Sequence, residues 1–211
     1  KEDVEKIINK KGLLTEDIKK SIKEATKLVE LEDIYRPFKE KKKTKATDAI
    51  NNGLEPLAKI IMSFKANDIN SVALNYLNDK VKTKEEAIEG ASYIIAEWIS
   101  DNAYYRKWIR SYFYKNGMIT SKIKKNAEDP QKTYEMYYDF QDTIKYIKHY
   151  RVLAINRGEN EKILTVSIDM DNEAIEAYLE KKLIKNSESF VVDLIKSSIK
   201  DSLKRLILPS V

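Results

Sequence analysis

The chain has 211 residues, 42% apolar and 35% charged, with five glycines, four prolines and no cysteine. That content supports a core in one large domain or two small ones, favours helices over sheets, and excludes disulfides and thiolate metal sites, which fits a reducing, cytoplasmic setting. The formal charge of +5 is concentrated: Arg36 to Lys45 hold six cations and one carboxylate, while the other 201 residues carry 33 of each sign. No apolar run approaches the ~18 residues of a membrane span, and no signal-peptide pattern is present.

Val4, Ile7 and Ile8 followed by Gly12 predict a short helix closed by a glycine. Thr15 is placed as the N-cap of a helix whose inner stripe is Ile18, Ile22, Ala25 and Val29, which Leu31, Ile34 and Tyr35 extend or follow and Pro37 ends. Beyond the basic segment, Ala46 to Asn52 predict a turn or two of helix before Gly53. Glu55-Pro56 opens another helix, with Leu57, Ile60, Ile61 and Phe64 inward. Asp68 is an N-cap for a segment with Val72, Tyr76 and Leu77.

The clearest helix runs from Thr83 to about Ile99. Thr83 and Glu86 form a capping box, and Ala87, Ile88, Ala91, Ile94, Ile95 and Trp98 form the inner stripe. Asp101 is expected to start the next helix, with Tyr105, Trp108, Ile109, Tyr112 and Phe113 inward and Gly117 at its end. From Met118 to Asp142 the helical pattern weakens, which puts a possible sub-boundary near residues 117–142. Tyr134, Met136, Tyr138 and Phe140 alternate as a strand does, and so do Leu164, Val166 and Ile168, so the two runs could pair in a small sheet. Between them Ile144, Ile147, Arg151 and Ala154 return to helical spacing, stopped by Gly158. Asp171 caps a helix with Ile175, Tyr178 and Leu179. Ser187 begins a last one through Val191, Leu194, Ile195 and Leu203, stopped by Pro209. The expected fold is mainly α: a multi-helix array of roughly eight to ten helices with helix-turn-helix-like pairs and one minor β element.

The basic segment is the leading functional candidate. Arg36, Lys39, Lys41, Lys42, Lys43 and Lys45 repel one another and gain nothing for the fold, whereas a concentrated positive charge attracts phosphate. The bland reading is a solvated loop, or an arm docked on an acidic surface. Tyr104 to Lys115 interleaves aromatics with cations, as a base-stacking strip does. Its Tyr105, Trp108, Ile109 and Tyr112 lie at helical core spacing, which leaves Tyr104 and Tyr114 as the exposed candidates. Arg151 and Arg157 could bind phosphate or brace a helix against internal carboxylates, and the brace is the simpler role. His149 has no cysteine to join it in a metal site. Asp169-Met170-Asp171 reads as a strand end and a helix cap rather than a magnesium site. There is no glycine-rich phosphate loop and no Ser/His/Asp signature, so catalysis, cofactors and metals are not expected.

Two stretches resemble a known family. Leu31-Glu32-Asp33-Ile34-Tyr35-Arg36-Pro37-Phe38-Lys39-Glu40-Lys41-Lys42-Lys43-Thr44-Lys45-Ala46, continued by Gly53-Leu54-Glu55-Pro56-Leu57-Ala58, is similar to the signature of the Tex family of bacterial transcription accessory proteins. Arg151-Val152-Leu153-Ala154-Ile155-Asn156-Arg157-Gly158-Glu159 resembles a second element of that family, in the same order and at about the right distance. The basic run departs from the family in having Lys42 and Lys43 where arginines are usual, and a lysine lacks the bidentate fork. His149 and Tyr150 stand where the family commonly has serine-histidine, which leaves any role of that histidine without its residue.

The resemblance implies a modular protein: an N-terminal helical region, an RNase-H-like domain, helix-hairpin-helix modules and an OB-type RNA-binding domain of the S1 kind. With Lys1 at its start and Leu208-Pro209-Ser210-Val211 at its end, the chain reads as a fragment of the helical region. The implied function is a non-enzymatic nucleic-acid-binding scaffold, with RNA ahead of DNA and weak binding by this region alone. The alternative is a protein-interaction platform for the RNase-H-like domain or the transcription machinery.

Overall fold

The computed structural model describes residues 1–39 and 43–210. The fold is mainly α, with eleven helices among the described residues and one three-stranded antiparallel sheet. The chain divides into two compact units, residues 1–107 with 175–211, and residues 108–174.

The larger unit begins with α1 (Glu2–Lys10), α2 (Glu16–Glu24) and α3 (Leu28–Tyr35). Gly12 takes a φ of 69° after α1, and Thr15 caps α2 by accepting from the Ile18 amide at 3.3 Å. The predicted continuous helix from Thr15 through Val29 is broken. The Glu30 carboxylate accepts from the backbone amides of Thr26 at 2.9 Å and Lys27 at 3.3 Å, which starts α3 afresh. A polar cap therefore overrides an apolar period that runs through the break.

A 3₁₀ turn, Arg36–Phe38, follows α3. Beyond it come α4 (Lys45–Asn51), α5 (Glu55–Ser63), α6 (Ile69–Leu74) and α7 (Lys84–Asp101). α7 is the axis of this unit and packs against α4, α5, α6 and α11 (Val192–Asp201). Its capping box holds as expected. The Glu86 amide donates to Thr83 Oγ1 at 3.2 Å, and the Glu86 carboxylate accepts from the Thr83 amide at 3.3 Å. The buried stripe is Ala87, Ala91, Ile94, Ile95 and Ile99, whereas Trp98, predicted inside, is exposed. Gly90 lets the Leu54 side chain close onto the helix where a Cβ would collide with it.

Helix α7 runs through Asp101 rather than ending before it. The cap of α8 (Ala103–Asn116) is Asn102, whose Oδ1 accepts from the Tyr104 and Tyr105 amides at 3.0 and 3.2 Å. α10 (Asn172–Leu183) is capped by Asp171, which accepts from the Ala174 amide at 3.1 Å. The last helix begins at Val192, not Ser187. It continues as a π-helical stretch, Ser202–Ile207, and a 3₁₀ turn, Leu208–Ser210, that contains Pro209.

The smaller unit holds β1 (Met118–Ile123), β2 (Asp139–Thr143), α9 (His149–Asn160) and β3 (Leu164–Asp169), with sheet order β2-β1-β3. β1 pairs with both neighbours, Ser121 lying opposite Phe140 on one side and Val166 on the other. β3 lies where its alternation predicts. The predicted strand from Tyr134 is instead a 3₁₀ turn, Glu135–Tyr137, with β2 starting at Asp139. The central strand carried no sequence signal because its buried residue is a serine: Ser121 Oγ donates to the Tyr137 carbonyl at 2.7 Å. Gly158 lies inside α9 rather than at its end. A Cβ there would sit 2.7 Å from Leu164 Cδ1 and 3.0 Å from the Tyr134 ring. Tyr134, Tyr137, Ile155 and Leu164 form the core.

Candidate nucleic-acid interface

The first family-like stretch is built around ion pairs before it offers any charge to solvent. Asp33 on α3 and Arg106 on α8 are 5% and 2% exposed, and Arg106 Nε donates to Asp33 Oδ1 at 2.7 Å. The rest of that guanidinium reaches Ser210, at 3.1 Å to its carbonyl and 3.2–3.3 Å to its hydroxyl. A guanidinium with every edge occupied can stay charged in a dry interior, and loss of Asp33 would take away its carboxylate partner there.

The predicted phosphate contacts fall into three groups. Arg36 is engaged: its Nε donates to Asp101 Oδ1 at 3.3 Å, half-shielded from water. Lys45, the first residue of α4, is engaged too. Its ammonium donates to the Tyr93 hydroxyl at 3.0 Å and lies 4.4 Å from that ring's centroid, and the hydrogen bond from Tyr93 raises its pKa. Tyr93 in turn donates to Glu89.

Lys43 and Lys39 are exposed. Lys43 lies 3.9 Å from Asp48 across open solvent, a pair of little energetic consequence. Lys39 stands at the rim of a cleft of about 580 Å³ whose other side is Trp98 and Ile50. Lys41 and Lys42 lie outside the described residues. Both ends of the segment are fixed. The Phe38 carbonyl accepts from Lys11 at 2.8 Å. Thr44 caps α4 by accepting from the Thr47 amide at 3.1 Å, and its hydroxyl also donates to Glu97 at 3.3 Å.

In the smaller unit, Arg151 is a brace. Its NH1 donates to Asp142 Oδ2 at 3.2 Å, and its guanidinium lies 5.5 Å from the Phe140 ring centroid. Hydrogen bonding with Tyr150, and then the Asp142 charge, raise its pKa. Arg157 is exposed on α9. His149 is the first residue of that helix and is exposed.

Tyr104 and Tyr114 are exposed as predicted. Trp108 and Tyr112 stack on each other with centroids 5.3 Å apart, which occupies those faces. Burial, and then the Tyr104 hydroxyl, push Tyr178 up to about 12. Asp169 ends β3 and Asp171 is spent on its cap. Among the described residues no three His, Cys, Asp or Glu side chains gather where a metal ion could sit, and no helix is long and apolar enough to cross a membrane.

Reading for charge density alone passed over the face that α9 turns to solvent. Tyr150 and Leu153 enter the sequence reading only through the second family-like element, and Tyr146 does not enter it. Yet residues 143–158 hold four cations and no carboxylate, a signal that was present in the sequence.

Residues 65–200 match the family described as Tex central region-like. This chain belongs to the Tex family. It is 46% identical to the uncharacterized protein YdcI of Bacillus subtilis over 215 residues, covering all of this chain and 30% of that protein. It is 31% identical to protein tex of Bordetella pertussis over 78% of this chain and 21% of that one. It is 30% identical to the human S1 RNA-binding domain-containing protein 1 over 96% of this chain and 22% of that one. The chain thus spans less than a third of the length of each of these relatives. The match holds residues 65–200, so the basic segment lies outside it while α9 lies within.

Proposed function

We propose that this Tex-family region is a non-enzymatic nucleic-acid-binding scaffold whose basic segment contacts phosphate, with RNA ahead of DNA. The observation that carries the reading is the localised charge: one segment holds the whole +5 of a chain otherwise balanced. The names of two relatives, a transcriptional accessory protein of Neisseria gonorrhoeae and an S1 RNA-binding domain-containing protein, point the same way. Lys39 and Lys43 are the described cations best placed to act, being exposed and not tied to a buried carboxylate. Arg36 and Lys45 instead fix the ends of the segment, so the phosphate-facing part is shorter than the sequence suggests. The region would work in the cytoplasm beside the transcription machinery, adding a weak site to stronger ones elsewhere in the full protein.

A second reading, a platform that docks another protein, is favoured by one specific observation: the segment's ends already bind carboxylate and phenol groups of the same chain. The two readings separate by salt response. Fluorescence anisotropy with labelled single-stranded RNA at about 50 and 200 mM salt should show affinity falling with a slope no steeper than about −3, the value for three phosphate contacts on a duplex. Binding should be lost when Lys41, Lys42, Lys43 and Lys45 are changed to alanine. Salt-insensitive binding, or binding that survives the four changes, would overturn the phosphate reading.

A further inference from the structure

The face that α9 leaves in solvent carries large side chains. Tyr146, Tyr150 and Leu153 are 67%, 63% and 70% exposed, although the core of their unit is built from other aromatic and aliphatic side chains. Tyr150, Leu153 and Arg157 follow one another at steps of three and four, which puts them on one face of the helix. Ile155 and Gly158 are buried on the opposite face. Tyr146 stands in the turn before the helix, where its amide donates to the Thr143 carbonyl at 3.1 Å.

The strip is cationic, with Glu159 and Glu161 following it directly and Glu161 meeting the Tyr134 hydroxyl beside Arg157. Lys145, Lys148, Arg151 and Arg157 fall within residues 143–158, which contain no carboxylate. Asp142, the acid just before them, is neutralised by Arg151 at 3.2 Å. The cations also lie beside the rings: the Lys145 ammonium is 5.0 Å from the Tyr146 centroid, and the Arg151 guanidinium is 5.9 Å from that of Tyr150. Arg151, held by Asp142, is a rigid mount for Tyr150. Exposed rings between cations are the chemistry by which proteins hold single strands, since bases stack on the rings and phosphates meet the charges. In a duplex those base faces are already covered by their neighbours.

We propose that Tyr146, Tyr150 and Leu153 form a stacking site for single-stranded nucleic acid, with Lys145, Lys148 and Arg157 meeting its backbone. The proposal rests on the nucleic-acid reading above but on residues distant in sequence from the basic segment. Charge complementarity selects this occupant: with Arg151 spent on Asp142, the exposed Lys145, Lys148 and Arg157 still suit a polyanion.

The test is anisotropy of a labelled single-stranded RNA of mixed sequence, and of the same RNA annealed to its complement, with this protein and three variants. Tyr146→Ala with Tyr150→Ala should weaken single-strand binding about tenfold or more and leave duplex binding and the salt slope unchanged. Tyr146→Phe with Tyr150→Phe keeps the rings and should restore affinity to within about twofold. The third variant is the four-lysine change of the basic segment. Both tyrosines are exposed, so the melting temperature should not move, and if it does the phenylalanine pair still separates ring from hydroxyl. Three outcomes overturn the proposal. Unchanged affinity in the alanine pair while the four-lysine variant fails would leave the basic segment standing and assign the strip to protein docking. Equal losses on single strand and duplex would remove stacking. No RNA binding by the parent protein would end both readings together.

Discussion

The two units solve the problem of a stable interior differently. The larger one wraps short helices around α7, whose buried stripe is Ala, Ile and Gly, and places the charged pair Asp33–Arg106 in the dry space. The smaller one has a core of four buried side chains, two of them tyrosines. It fills the gap with polar contacts: Ser121 to the Tyr137 carbonyl, and Asp129 accepting from the Thr133 and Tyr134 amides and the Tyr138 hydroxyl. Three antiparallel strands bury too little apolar surface to stand on it alone, so hydrogen bonds and close backbone approach carry more of the load. The larger unit should therefore fail through a stranded charge, and the smaller one through misfit.

The largest expected effect follows from the charged pair. Asp33→Ala takes the 2.7 Å carboxylate partner from the buried Arg106 guanidinium and should cost about 3–5 kcal/mol in urea denaturation. Asp33→Leu with Arg106→Met should cost much less, because no charge is left behind. Equal costs would show that the pair is not desolvated in the way its geometry implies.

Next is Gly158→Ala, which drives a methyl into Leu164 and Tyr134 and should cost about 1–3 kcal/mol. Amide exchange should quicken across residues 118–169 and stay slow in α7. Faster exchange in α7 as well would mean that the two units unfold as one. Thr83→Ala removes the N-cap of α7 and should cost about 1 kcal/mol in the same denaturation experiment, with protection lost first at Glu86.

The smallest effect is set by pH. The backbone amide of Thr26, then Lys107 at 3.2 Å and the amide of Lys27, hold Glu30 down to about 2 from 4.5. Because the folded value is depressed, the stabilisation is full above pH 4.5 and is lost as pH falls toward 2. Glu30→Gln should therefore melt slightly below the parent at neutral pH, with the gap closing over that acid window. A gap independent of pH would mean that the carboxylate charge is not what starts α3.

Legibility followed the same division. In the larger unit the 3.6-residue period and the side-chain caps at Thr15, Asp68 and Thr83 were readable, because an amphipathic helix writes its buried face into its own spacing. The errors there were local contests: Glu30 breaking one helix in two, and Ile99 rather than Trp98 taking the inner position as the stripe drifts around α7. In the smaller unit β1 was invisible. A central strand whose buried residue is Ser121 has no apolar alternation to show, and Gly158 looked like a helix stop because a close approach between helix and strand leaves no trace in one segment read alone.

The sequence by itself determined the helical class, the family likeness and where the charge is concentrated, since all three are properties of composition and order along the chain. The tertiary structure decided which cations are spent. Arg36 on Asp101, Lys45 on Tyr93 and Arg151 on Asp142 each find a partner between 9 and 65 positions away. It also decided which aromatics are left over. Trp98 reads as an inner residue in the sequence and stands in solvent in the fold, because burial is settled by what packs opposite a residue and not by the residue's own polarity.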